Sequence, residues 1–331
     1  MSAIWPLLQF LSCATLIAAA GFVLGRSADR LADAHGWGRG WVGLALLATV
    51  TSLPELASGI SSVALVGAPN LAVGNAIGAC VANLAFLVVV DLLERRQPMY
   101  HHASATHLLS AGFGVVMLGF VALSLVTGER APFLLHVGLY SPVLLALYLL
   151  ALKSVFVHEQ KQRPPSAGEP VAAAPGREWW RFGLAALVVL GAGTLLPEVA
   201  DELAQATGLS RSLVGTVFMA LVTTLPEMAV TVSALRLGAL DMAIGNLLGS
   251  NLFNVTILAL DDLAYRQGPL LAEVAPVHSG TAATALVMNG LVIVGLVMRP
   301  QGRVLRIVSW ISVGLVAAYG INAALLYLWG G

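Results

Sequence analysis

The sequence predicts an all-α membrane protein: ten transmembrane helices in two inverted-topology five-helix repeats. Three observations predict it: an apolar composition, apolar runs of bilayer length, and a pattern that returns 172 residues after it first appears. Of 331 residues, 58% are hydrophobic and 10% charged, against roughly 25% charged in ordinary soluble domains. Runs of about 17–25 apolar residues, enough to span a bilayer, recur along the whole length. In lipid each backbone polar group needs a partner within its own segment, so the spans are helices. Formal net charge is +0, and a nucleic-acid partner therefore has no electrostatic support.

The spans read as residues 3–25, 41–66, 71–93, 105–126, 132–152, 182–206, 213–235, 242–264, 275–298 and 304–329. The first has no Lys or Arg before Arg26, so it lacks the positive start of a signal peptide and reads as a spanning helix. Cys13 and Cys80 fall inside apolar spans and read as buried thiols. If the loops after odd-numbered spans are cytoplasmic, they hold fourteen of the seventeen Lys and Arg residues. The opposite side then keeps only Arg130, Arg211 and Arg266. That asymmetry puts both termini outside, in a multi-pass protein of the cell's inner or plasma membrane. Residues 157–180, "VHEQKQRPPSAGEPVAAAPGREWW", are rich in Pro and Ala and read as a cytoplasmic linker. It divides a first half, 1–156, from a second, 181–331.

The returning pattern is "TSLPE" at 51–55 and "TTLPE" at 223–227. At the same offset Ala28-Asp29 meets Ala200-Asp201, Gly36 meets Gly208, Arg39 meets Arg211, and Val42-Gly43 meets Val214-Gly215. After a slip of one residue, Gly74-Asn75 meets Gly245-Asn246, Asn83 meets Asn254, and Asp91 meets Asp262. The copies lie five spans apart, an odd number, so they cross the membrane in opposite directions. Many secondary transporters are built this way, with the binding site at the repeat interface near the midplane.

Each copy carries a carboxylate into that region. Glu55 lies about 16 Å along its helix counted from Leu44, and Glu227 about 20 Å counted from Val214. Both figures fall near the middle of a hydrocarbon core of roughly 30 Å. A charge there costs about 2.5–3.5 kcal/mol on insertion scales, which makes a functional role the default. Pro54 and Pro226 lack an N–H and displace the carbonyls of Val50 and Val222, which frees oxygens that a cation can engage. Ser52 and Thr51 share the face of Glu55, as Thr224 and Thr223 share that of Glu227. The next helix of each copy carries a matching stripe: Asn75, Ala79 and Asn83, then Asn246, Ser250 and Asn254. Such oxygens are hard ligands, suited to Ca²⁺ or Na⁺. Two turns on, the stripes reach Asp91 and Asp262, which read either as acidic vestibules at opposite entrances or as solvated helix-end charges. Gly74/Gly78 and Gly245/Gly249 have the spacing for close helix packing.

These motifs, "TSLPE" with "GNAIGACVAN" and "TTLPE" with "GNLLGSNLFN", resemble those of the cation/Ca²⁺ exchanger superfamily, in its branch of prokaryotic sodium/calcium exchangers. The resemblance covers the whole chain. It implies that Glu55 and Glu227 bind Ca²⁺ and Na⁺ alternately. It implies further that Ser52, Thr224, Asn83, Ser250, the Asn254 position and the carbonyls of Thr51, Thr223, Ala48 and Ala220 line the sites. Three departures stand out: Ala79 in place of the usual Ser, Asn254 where many prokaryotic members have Asp, and Val50 and Val222 in place of Gly. No cofactor is implied; the partners are the transported Ca²⁺ and Na⁺ and the bilayer. The function implied is Ca²⁺/Na⁺ antiport, with Ca²⁺/H⁺ antiport by the same two glutamates as the alternative.

An enzyme reading finds no support. There is no H-E-x-x-H and no G-x-S-x-G, and no His in either repeat core. The histidines fall mostly at loops or span ends, where solvated or interfacial side chains are expected. A passive channel fits the composition, but inverted repeats with a broken midplane helix favour a carrier.

Overall fold

The computed structural model describes residues 3–34, 47–94, 98–130, 132–162, 176–304 and 307–329. Its main helices, in chain order, are α1 (Ile4–Ala34), α2 (Ala48–Thr51), α3 (Leu53–Ser61), α4 (Pro69–Leu93), α5 (Thr106–Thr127) and α6 (Tyr140–Gln162). They continue with α7 (Gly176–Thr207), α8 (Ala220–Thr223), α9 (Leu225–Arg236), α10 (Leu240–Ala264), α11 (Val277–Met298) and α12 (Trp310–Trp329). Eight of these are long and apolar enough to cross a bilayer, and the bent segment Arg211–Arg236 makes a ninth candidate. The apolar piece Leu53–Val66 is shorter; residues 41–46 of the span expected there lie outside the described residues. So do Gly36, Arg39, Val42 and Gly43 of the repeat.

Three boundaries differ from expectation. The linker ends are helical, because α6 runs on to Gln162 and α7 already starts at Gly176; residues 163–175 lie outside the described residues. The fifth span begins at Tyr140, preceded by a two-residue hairpin, β1 (Phe133–Leu134) with antiparallel β2 (Val137–Gly138). The last begins at Trp310.

Helices α4 and α10 form the centre. They are buried over 67% and 89% of their most apolar stretch, whereas the other six long helices are buried over 28–44%. Their polar residues therefore meet protein and not lipid. Asn251 ties the two together: its Oδ1 accepts from Asn83 Nδ2 at 3.1 Å, and its Nδ2 donates to Cys80 O at 3.3 Å. Gly78 on α4 lets the π-helical turn Val214–Met219 come close, since a Cβ there would lie 2.3 Å from Thr216 O. Cys13 and Cys80 are buried and unpaired.

Outside this centre, α1 and α7 lie against each other and against the broken helices. Each meets a proline of the opposite half through glycine. A Cβ on Gly21 of α1 would stand 2.3 Å from Pro226 Cγ, and one on Gly193 of α7 would stand 3.1 Å from Pro54 O. Gly21 and Gly193 are themselves 172 residues apart.

Asp91 and Asp262 are not vestibule acids. Both are fully buried and tie down the loops that follow them. Asp91 accepts from Met99 N (3.0 Å), Ser309 N (2.7 Å) and Ser312 Oγ (2.7 Å). Asp262 accepts from Gly138 N (2.9 Å), Tyr140 OH (2.7 Å), Ser141 Oγ (2.5 Å) and Leu270 N (2.7 Å). With three donors on Asp91 and four on Asp262 drawn from other segments, each acid anchors a helix end. Two of the histidines are likewise buried rather than solvated. His107 bonds Asp241 at 3.0 Å, and His278 bonds Asn70 at 3.2 Å. Asp241 also accepts from Ser104 N and Asn70 from Ala275 N. Every member of the second clamp matches one of the first at an offset of 171.

Candidate functional site

Pro54 and Pro226 each occupy the second position of a helix, α3 and α9. Proline is tolerated there because first-turn N–H groups have no intrahelical acceptor anyway. Just before each lies the break: Ser52 at φ −86°, ψ 13° and Thr224 at φ −80°, ψ 0°. The N–H of each break residue turns back on two carbonyls, Ala48 and Val50 in one case, Ala220 and Val222 in the other. The sequence thus starts two fresh helices inside the bundle, with Glu55 and Glu227 in their first turns. There the partial positive charge of a helix N-terminus favours a carboxylate.

Both glutamates are fully buried, and they lie near enough to interact electrostatically. Neither oxygen of Glu55 has a hydrogen-bond partner, nor does Oε2 of Glu227. Oε1 of Glu227 accepts from Ser52 Oγ of the opposite half at 2.7 Å. Asn83 Oδ1, Asn246 Oδ1 and both polar atoms of Asn254 are also buried without partners. Buried polar atoms are nearly always hydrogen-bonded. A concentration of unpartnered oxygens around two carboxylates is therefore what a bound cation would satisfy.

The remaining expected ligands stand as follows. Ser250 Oγ reaches Ala48 O at 3.4 Å, so Ser250 and the Ala48 carbonyl meet across the halves. Thr223 Oγ1 donates to Asn75 Oδ1 at 3.0 Å, and Asn75 Nδ2 donates to Ser58 Oγ at 2.8 Å. The hydroxyls of Thr51 and Thr224 donate to their own helices, at Leu47 O and Ala220 O. The Ala220 carbonyl already accepts from Thr224 N, Thr224 Oγ1 and Thr223 Oγ1. The Ala48 carbonyl is as heavily engaged, accepting from Ser52 N, Thr51 Oγ1 and Ser250 Oγ. Ala79, fully buried, offers no side-chain oxygen. Sequence reasoning missed Ser58, Asn251 and Asp261. The first two stand beside motif residues, but nothing in their spacing says which helix they face.

The pattern of the sodium/calcium exchanger protein family matches residues 5–157 and 177–328, leaving out most of the expected linker. The inner membrane protein YrbG of Escherichia coli is 26% identical over 229 residues, 66% of this chain. The chain covers 66% of YrbG, just under two-thirds of its length. The sodium/calcium exchanger MaX1 of Methanosarcina acetivorans is 41% identical over 81 residues, 24% of this chain and 23% of MaX1. Among solved structures, the sodium-calcium exchanger NCX_Mj superposes with a TM-score of 0.68 at 20% identity, covering 97% of this chain and 98% of that one; the two share a fold. With nearly all of its length outside the linker matched, the chain belongs to the sodium/calcium exchanger protein family.

Proposed function

We propose that this protein is a secondary antiporter that exchanges Ca²⁺ for Na⁺ by alternating access. The observation that carries the proposal is the pair of buried glutamates at two helix breaks, with three of their four carboxylate oxygens unpartnered. Ca²⁺ takes six to eight oxygen ligands. Glu55 and Glu227 would supply the charge. Ser52, Ser250, Asn83, Asn254 and the backbone and side-chain oxygens of Thr51, Thr223, Thr224, Ala48 and Ala220 would supply neutral oxygens. The same glutamates can hold one divalent ion or monovalent ions in turn, which is the requirement for exchange. No enzyme chemistry and no resident cofactor enters this reading.

The architecture we infer is ten spans in two inverted repeats, 1–156 and 181–331, with both termini outside. The clamps of His107 and His278 and the packing of Gly21 and Gly193 support it, because each pair joins matched positions across opposite halves.

A second reading, Ca²⁺/H⁺ exchange, is favoured by the ligand-poor positions Ala79 and Asn254, which reduce the capacity for several Na⁺ ions. The test is Ca²⁺ flux in proteoliposomes under a Na⁺ or an H⁺ gradient, each alone, at fixed membrane potential. Uptake driven by Na⁺ is expected; uptake driven only by H⁺ replaces the first reading with the second.

A further inference from the structure

Asp261 is a third fully buried carboxylate that the exchange site does not use. It follows Asn254 on α10 by seven residues, two turns, so the two side chains leave the same face of the helix. That face meets α3. A Cβ on Gly59 would stand 2.5 Å from Asp261 Oδ2 and 2.6 Å from Oδ1, so the carboxylate lies against bare glycine backbone. Gly59 is one turn beyond Glu55 on α3. Neither oxygen of Asp261 has a hydrogen-bond partner, and the same holds for both oxygens of Glu55 and both polar atoms of Asn254. Unpartnered polar atoms therefore line the seam between α3 and α10, from the glutamate to the C-terminal end of α10. The next residue, Asp262, is the contrast, with four protein donors. At the matching place in the first half stands Val90, so this seam is acidic in one half only.

We infer that Asp261 is a proton-exchanging carboxylate on the transport path, between the glutamate site and the face at the C-terminal end of α10. An ionised carboxylate buried alone is costly, and a metal ion needs several oxygens around it. The ionisable groups on the elements packed around it are few. On α3 there is Glu55, a turn away. Beside it on α10 is Asp262, and at the near end of α6 is Tyr140, both taken up in the loop anchor; Tyr148, Lys153 and His158 lie about two to five turns further along α6, and Asp241 is at the far end of α10. The π-helical turn Ser62–Val66 and β2 carry none. Among the described groups beside Asp261 none is a cation and no second oxygen bonds it, so a proton is the ligand the position holds. Asp261 takes that proton from hydronium, leaving water, and returns it to water when the passage opens on that face.

The inference rests on the exchanger reading, so its test includes a readout that needs no transport. Infrared difference spectra of the purified protein between acid and alkaline pH should contain a protonated-carboxyl band that Asp261→Asn removes. In proteoliposomes, varying pH on one side at a time, Asp261→Asn should flatten the pH dependence of Ca²⁺ flux severalfold on the α10 C-terminal side and leave the other side unchanged. Gly59→Ala, which pushes on the same carboxylate, should shift the same band and the same limb of the profile. Each variant is first checked for a monodisperse, wild-type-like elution and helix content. An unaltered band in Asp261→Asn overturns the proposal, and so does a band that responds to Na⁺ at constant pH. Absence of flux in the wild type would sink the exchange reading while leaving the infrared result to judge Asp261.

Discussion

Two glutamates held at helix starts, unexposed and short of partners, are expensive to keep in a protein and hard to replace. Glu55→Gln and Glu227→Gln keep the shape of the site but each removes one of the two charges that balance a divalent ion. In low dielectric the uncompensated charge is not tolerated. Each variant is expected to reduce Ca²⁺ flux to the background of empty liposomes while retaining its elution profile and thermal midpoint; flux near wild type in either would rule out a two-glutamate site. These residues were legible in the sequence because a carboxylate beside proline within an apolar run is conspicuous. Asp91 and Asp262 were legible as matched acids at the ends of the polar stripes but not as buried loop anchors. Helical periodicity assigns a face, whereas their partners, Ser309 and Tyr140, come from distant segments. Asp261 was hidden by its neighbour, since adjacent acids look like one helix-end charge until the structure gives them different surroundings, α3 backbone for one and the loop anchor for the other.

At the level of elements, the glycines of α1 and α7 set how closely these helices approach the broken ones. The two contacts are unequal: 2.3 Å from a prospective Cβ at Gly21 to Pro226 Cγ, against 3.1 Å at Gly193 to Pro54 O and Ala57 Cβ. Gly21→Ala must move a helix or a rigid proline ring and is expected to cost about 1–3 kcal/mol, the usual range for overpacking. Gly193→Ala needs a shift of a few tenths of an ångström, offset by the roughly 0.5–1 kcal/mol that Ala gains over Gly within a helix. Thermal unfolding in detergent should show a clear loss for the first and almost none for the second. Equal losses would mean that the interface yields more readily than its geometry implies. The breaks themselves were readable from Pro54 and Pro226, as were most spans from their apolar runs. The hairpin before Tyr140 was not, because Phe133, Leu134 and Val137 are as apolar as a span and only the anchoring of Gly138 N on Asp262 separates them from it.

For the whole molecule, the offset of 171–172 residues is the most informative property of the sequence, and it recurs in contacts that sequence comparison alone does not connect, such as His107 with Asp241 and His278 with Asn70. The orientation we propose follows from the Lys/Arg asymmetry. Single cysteines placed in 163–175, in a background without Cys13 and Cys80, are expected to resist an impermeant thiol reagent in intact cells and to react after the membrane is opened. Labelling from outside would reverse the topology. The eight long helices and the bent ninth candidate among the described residues were readable from apolar runs; the long helices at the linker ends were not, since Pro- and Ala-rich composition there masks helix on both sides.

The crosswise seating of glycine on proline also bears on how the protein is made. Pro54 and Glu55 are synthesised well before the surface that covers them, because Gly193 follows Pro54 by 139 residues. Until α7 is inserted, the first broken helix has α4 against it but lacks the cover of Gly193 over its proline, and an open backbone is poorly tolerated by lipid. Pro226 faces no such delay, since Gly21 is already in place when it emerges. The two halves are thus matched in sequence but not in the order in which their prolines are covered.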